Sequence, residues 1–207
     1  WTMVLRDSLP FLEFQREAEG RGLDVETLSR KKVDEHVIRI ENRVRQIEPR
    51  FIDKVSPNKL GMMEKGLLPQ GDFASWPPDR ERIPSSSSLY TIWEGPTRLM
   101  WVGTSVDTFA TLNSHAEGRL KNDNFCTAVL NQLVLPSLSE ELTLEVEKGL
   151  LPLEKMVRFK IRRGFSYKLI PMEVGEAQLY ERLVRRGVLD AGPPVLDSGK
   201  QYDSGDQ

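Results

Sequence analysis

Tyr90, Trp101 and His115 are the side chains of this sequence whose types and spacing let them act together. An imidazole changes charge near neutral pH, and a phenol both donates and accepts a hydrogen bond, so either a Tyr or a His could accept or relay a proton. Residues 87–92 (Ser-Ser-Leu-Tyr-Thr-Ile) predict one strand and residues 98–103 (Arg-Leu-Met-Trp-Val-Gly) a second. Glu94-Gly95-Pro96-Thr97 between them carries turn chemistry, so a hairpin with a longer loop is expected. In residues 106–119, Phe109, Leu112 and His115 recur at the spacing of one helix face. A Tyr on one strand, an aromatic on its partner and a His on the next helix can converge.

The elements that must hold these residues follow from the remaining pattern. Residues 9–19 predict a short helix with Pro10 in its first turn and Gly20 at its end. A longer helix is expected over 25–48, with Val33, Val37, Ile40, Val44 and Ile47 forming a narrow heptad-like stripe that ends before Pro49. That stripe would pack onto the rest of the chain, onto a second copy in a homo-oligomer, or onto a protein partner. Pro, Gly and Ser dominate 51–85, which reads as linker-like chain with one short helix over Leu60 to Leu68. Beyond the hairpin and its helix, 125–130 (Phe-Cys-Thr-Ala-Val-Leu) reads as a third strand and 165–171 as a fourth. Helices are expected over 139–149 behind Ser139, over 153–162 behind Pro152, and over 175–187 up to Gly187. The predicted organisation is a helical extension (1–50), a linker-like region (51–85), an α/β domain (86–189) and a polar, mobile tail (190–207). The domain would hold a small, mainly antiparallel sheet flanked by helices.

Composition narrows the classes. Apolar residues make up 39% of the chain, charged residues 29%, and the formal charge is −2, which predicts a soluble protein with a core. No apolar run reaches membrane-span length, so no membrane partner is expected. The single cysteine, Cys126, lies in an apolar run; a buried structural thiol and a reducing, cytoplasmic compartment are expected. Residues 151–190 hold nine basic against five acidic side chains. Within them Lys155, Arg158, Lys160, Arg162 and Arg163 could hold a nucleic-acid backbone, or could line a solvated helix face. His36, His115 and Cys126 do not make a usual structural zinc site. A Gly-rich phosphate loop, a nucleophile elbow and a dinucleotide fingerprint are all missing from the sequence.

The order Ser88-Leu89-Tyr90, Trp101-Val102-Gly103, His115, with Ala177-Gln-Leu-Tyr-Glu181 later, resembles the GIY-YIG nuclease superfamily over roughly residues 86–189. The stretches His115 to Arg119, Asn122 to Cys126 and Leu133 to Pro136 are similar to an uncharacterised bacterial subgroup of it. The resemblance implies a DNA endonuclease that uses Mg²⁺ or Mn²⁺, in restriction or defence against mobile elements. It implies Glu181 as the metal ligand and Tyr90 and His115 as the groups that handle the proton of the attacking water. Three positions depart from the family pattern. The first signature lacks its leading Gly, Trp101 stands where the family has a second Tyr, and Thr111 stands where it usually has an Arg. Arg119 is the nearest basic residue that could substitute. These departures keep two other expectations open: a domain that binds nucleic acid without cutting it, and a protein-interaction subunit assembled through the 25–48 helix.

Overall fold

The computed structural model describes residues 25–48, 54–56, 74–83 and 86–196. The expected helices at 9–19 and at Leu60 to Leu68 lie outside them. The chain divides into two compact units, Trp1–Asp72 with Val188–Asp190, and Phe73–Gly187 with Ala191–Gln207. Among the described residues there are six α-helices and a three-stranded sheet. No helix there is long and apolar enough to cross a membrane.

In the first unit, α1 spans Val25–Ile47. Ile40 and Val44 of the predicted stripe are fully buried, while Val37 and Ile47 are half-buried. Arg43 binds the Val188 carbonyl at 3.2 Å and the Asp190 carboxylate at 2.7 Å, which ties the 188–190 segment to this helix.

The second unit is built on β1 (Ser88–Glu94), β2 (Arg98–Ser105) and β3 (Ser166–Pro171). Both pairings are antiparallel and the order is β2-β1-β3, so the expected hairpin forms and β1 is the central strand. Burial on both faces explains why Ser-Leu-Tyr-Thr-Ile-Trp is nearly continuous in apolar and β-branched residues. α2 (Thr108–Glu117) follows the hairpin; α4 (Glu140–Glu147) and α5 (Leu153–Gly164) precede β3; α6 (Val174–Arg185) follows it. α6 packs on β1 and β2, and α5 packs on α2. The core gathers Ile92, Met100, Leu112, Phe125, Val157, Ile161 and Phe165.

Three expectations are corrected. Residues 125–130 are helical: α3 spans Asn124–Val129 and runs on into a π-helical turn, Leu130–Val134. Asp123 caps α3, its carboxylate accepting the Cys126 N–H at 3.0 Å. Phe125, Cys126, Ala128 and Val129 are buried, a spacing that covers one helical face. The end of the linker-like region is anchored at a few points, although Ser75, Pro77 and Asp79 to Arg82 are exposed. Ala74 bridges Tyr167 through two backbone bonds (2.9 and 3.0 Å), and Trp76 and Ile83 enter the core. The start of the tail is likewise held. The Val195 and Leu196 amides donate to the Leu99 and Met100 carbonyls, each at 3.0 Å, and Leu196 is fully buried. The free edge of β2 offers those carbonyls, and an apolar side chain fills the space beside them.

Candidate functional site

Tyr90 sits mid-way along β1, directly opposite Gly103 of β2. A β-carbon at position 103 would lie 2.5 Å from the phenolic oxygen of Tyr90. The glycine is therefore what allows the ring to lie across β2 and reach α2. There its hydroxyl is 3.0 Å from Nε2 of His115. His115 occupies the last turn of α2.

Gly118 ends that helix in the left-handed region, at φ +68°, and its N–H returns to the His115 carbonyl. A side chain there would meet the Glu154 carbonyl at 2.5 Å and the Arg158 amide nitrogen at 2.7 Å. α5 closes the same helix end. Arg162 donates to the Ala116 carbonyl (2.9 Å) and Arg158 to the Glu117 carbonyl (3.2 Å), and both guanidiniums pair with the Glu117 carboxylate. The last carbonyls of a helix lack partners within it, so these arginines fix the position of His115.

His115 Nδ1 lies 2.7 Å from Oδ2 of Asp123. Burial alone would raise the Asp123 carboxyl. Hydrogen bonding and charge from His115, the Cys126 N–H and the Ser114 hydroxyl outweigh it and hold the group below the usual carboxylate range. An ionised Asp123 only accepts, so Nδ1 carries a hydrogen and Nε2 of the neutral ring accepts from the Tyr90 hydroxyl. Asp123, His115 and Tyr90 thus form a buried chain of two hydrogen bonds. Burial pushes the Tyr90 phenol well up, helped by the Asp123 and Glu181 charges and opposed by the Trp101 side chain and Arg185. It stays protonated at neutral pH.

This chain opens into a cleft of about 460 Å³ that is also lined by Trp101, Thr111, Asn122, Glu181 and Arg185. Tyr90, His115 and Glu181 therefore share one cleft, as the sequence pattern predicted. Glu181 and Arg185 are neighbours at the i,i+4 spacing of α6, and Arg185 Nε and Nη2 bind Oε1 of Glu181 at 3.0 and 2.9 Å. Arg185 also donates to the Val102 carbonyl at 2.9 Å and lies 5.1 Å over the Trp101 ring. Thr111 bonds the Ser105 hydroxyl at 2.7 Å. Arg185 thus places a cation in the cleft.

The other expected residues lie elsewhere. Arg119, past the turn at Gly118, lines a different cleft with Arg80 and Phe109. Of the five basic residues 155–163, none lines the Tyr90 cleft. Arg158 and Arg162 close α2, Lys155 borders an apolar groove, Lys160 lies 5.9 Å over Phe165, and Arg163 lies 4.7 Å over Phe159. Asp123 and Arg185 were missed as site residues. Asp123 carries a helix-cap signal before an apolar run, and Arg185 stands four residues after Glu181, the spacing of a helical ion pair.

Two groups could hold a metal. Glu181 offers a carboxylate on a polar cleft with one oxygen taken by Arg185. His115, Asp123 and Cys126 bring three ligand atoms within 4.8 Å of one another, all buried. Both ring nitrogens of His115 are already hydrogen-bonded, and burial pushes the Cys126 thiol up, so this second group reads as a packed network around an inert thiol.

Comparisons with protein-family models, with curated proteins and with solved structures gave no match. The architecture established for this chain is the mixed α/β one described above, a small antiparallel sheet with helices around it.

Proposed function

We infer that the Phe73–Gly187 unit hydrolyses phosphodiester bonds in DNA with the help of a divalent cation, as the resemblance to GIY-YIG nucleases implies. The observation that carries this reading is the convergence of Tyr90, His115 and Glu181, from three separate elements, on one polar cleft.

Phosphodiester hydrolysis needs an activated water, neutralisation of the phosphate and a stabilised leaving oxygen. A bound cation supplies the last two. Glu181 is the carboxylate that would hold it, and Mg²⁺ or Mn²⁺ suits a site that offers one protein carboxylate and room for waters. The Tyr90 oxygen accepts the proton of the attacking water while its own hydrogen passes to His115 Nε2. Asp123 and the end of α2 then stabilise the imidazolium. Such a relay does not need an ionised phenol beforehand, which fits a Tyr90 held protonated by burial.

Arg185 fills the phosphate-binding role that Thr111 cannot. Trp101 belongs to the same substitution: an indole face holds a guanidinium better than a phenol does. Losing a charged transition-state contact of this kind typically costs about 2.7–4 kcal/mol, a hundredfold or more in rate. Arg185→Ala is therefore expected to slow Mg²⁺-dependent plasmid cleavage about a hundredfold, with Arg185→Lys intermediate. Equal rates in all three proteins would remove Arg185 from the mechanism.

One observation favours a second reading, DNA binding without cleavage. The two Arg185 bonds neutralise Glu181, the carboxylate that the metal requires. Tight DNA binding by the wild type with no cleavage in either Mg²⁺ or Mn²⁺ would establish it.

A further inference from the structure

We propose that the cleft of Arg80 and Arg119 is a second phosphate-binding site, which holds the nucleic-acid backbone beside the reaction cleft. The inference rests on the nuclease-or-binding reading above for the identity of its ligand. Its own evidence is separate.

The cleft has a volume of about 460 Å³ and is lined by Arg80, Ile83, Asp107, Phe109, Asn113 and Arg119 with Ala110. Ala110 also lines the Tyr90 cleft, so the two clefts border the same residue of α2. Most of the other arginines in this unit are committed elsewhere. Arg82, Arg98, Arg158, Arg162 and Arg185 are all ion-paired. Arg80 and Arg119 have no ion pair among the described residues, and both are exposed. Arg80 is nonetheless held in place, its guanidinium 5.4 Å over the Phe109 ring. That contact fixes the group without neutralising it, which is what an anion site requires.

Asp107 is the one carboxylate in the lining. It is occupied as the cap of α2, accepting the Ala110 N–H at 2.9 Å, and two guanidiniums outweigh its charge. A free small anion would also satisfy two arginines. The shared border at Ala110 favours a polymer whose phosphates reach both clefts. Asn113 and the Phe109 ring add a hydrogen-bonding group and an apolar face next to the same path.

The test uses the full chain and a fluorescein-labelled DNA duplex, with binding read by anisotropy across a salt series in the absence of divalent metal. Arg80→Gln with Arg119→Gln is expected to weaken binding about tenfold and to flatten the slope of log affinity against log salt by about 1.8, the value for two lost phosphate contacts. The paired Lys variants should restore most of the affinity. Melting temperature should not change, because both side chains are exposed. Unchanged affinity and slope in the double Gln variant, or a wild type that binds no duplex, would overturn the site. Cleavage, measured separately with Mg²⁺, distinguishes the two ideas. A wild type that binds through these arginines but does not cut keeps this site and overturns hydrolysis. One that cuts while the double Gln variant binds as well as the wild type keeps hydrolysis and overturns this site.

Discussion

Asp123→Ala is expected to destabilise the protein by about 3–5 kcal/mol, because three buried donors lose their acceptor at about 1–3 kcal/mol each and relaxation recovers part of that. Asp123 holds three groups at once. Its carboxylate accepts from His115 Nδ1, from the Ser114 hydroxyl and from the Cys126 amide. Alanine leaves each of them short of a partner in a buried site and also removes the cap of α3. Thermal melting should show a fall of about 6–15 °C. Asp123→Asn, which retains an oxygen for the amide, should lose less. The same group gives a pH dependence. Its folded pKa lies below its unfolded one, so its contribution is present above the unfolded value of about 3.9 and is lost as pH falls through the folded value. Acid unfolding of the wild type should therefore include a component that Asp123→Ala lacks. A melting temperature within 2–3 °C of wild type, about the effect of 1 kcal/mol, would mean that the network is not what holds α2 and α3 together.

A large catalytic effect is also expected from Tyr90→Phe. The substitution keeps the ring that packs over Gly103 and removes only the hydroxyl bonded to His115. Loss of a positioned proton-transfer group typically lowers a rate by about 10²–10⁴-fold. Single-turnover cleavage should fall by that factor, while folding loses only about 1–2 kcal/mol for the unsatisfied Nε2. DNA affinity should be nearly unchanged, because the proposed phosphate contacts come from Arg185 and the cleft of Arg80 and Arg119. A Phe variant that cleaves at the wild-type rate would place proton transfer on another group.

The hairpin, α2 and α6 were readable from the chain because each carries a strong local signal: turn residues between apolar runs, a three-residue recurrence, and a terminal glycine. The meeting of Tyr90 with His115 was readable for the same reason, since adjacent elements fix it. The 125–130 segment was not. An apolar run of that length has no period of its own, and the residue that decides it, Asp123, acts through a cap and a tertiary bond to His115. Trp76 and Leu196 were hidden in another way. Their neighbours are Pro, Gly and Ser, so local composition marked the chain as exposed while a single large side chain anchored it. The role of Arg185 needs the sheet in place, because the Val102 carbonyl and the Trp101 ring that orient it are far away in sequence. That Arg158 and Arg162 hold the end of α2 was likewise out of reach, because the carbonyls they bind are far away in sequence.

The most direct test is conversion of supercoiled plasmid to nicked or linear DNA by the full chain, with Mg²⁺ and with a chelator, beside a folded Glu181→Ala variant. Cleavage that requires Mg²⁺ and disappears in the variant is the expected result. A folded wild type that leaves the plasmid intact, or cleavage that persists in Glu181→Ala, would contradict the assignment of this cleft to phosphodiester hydrolysis.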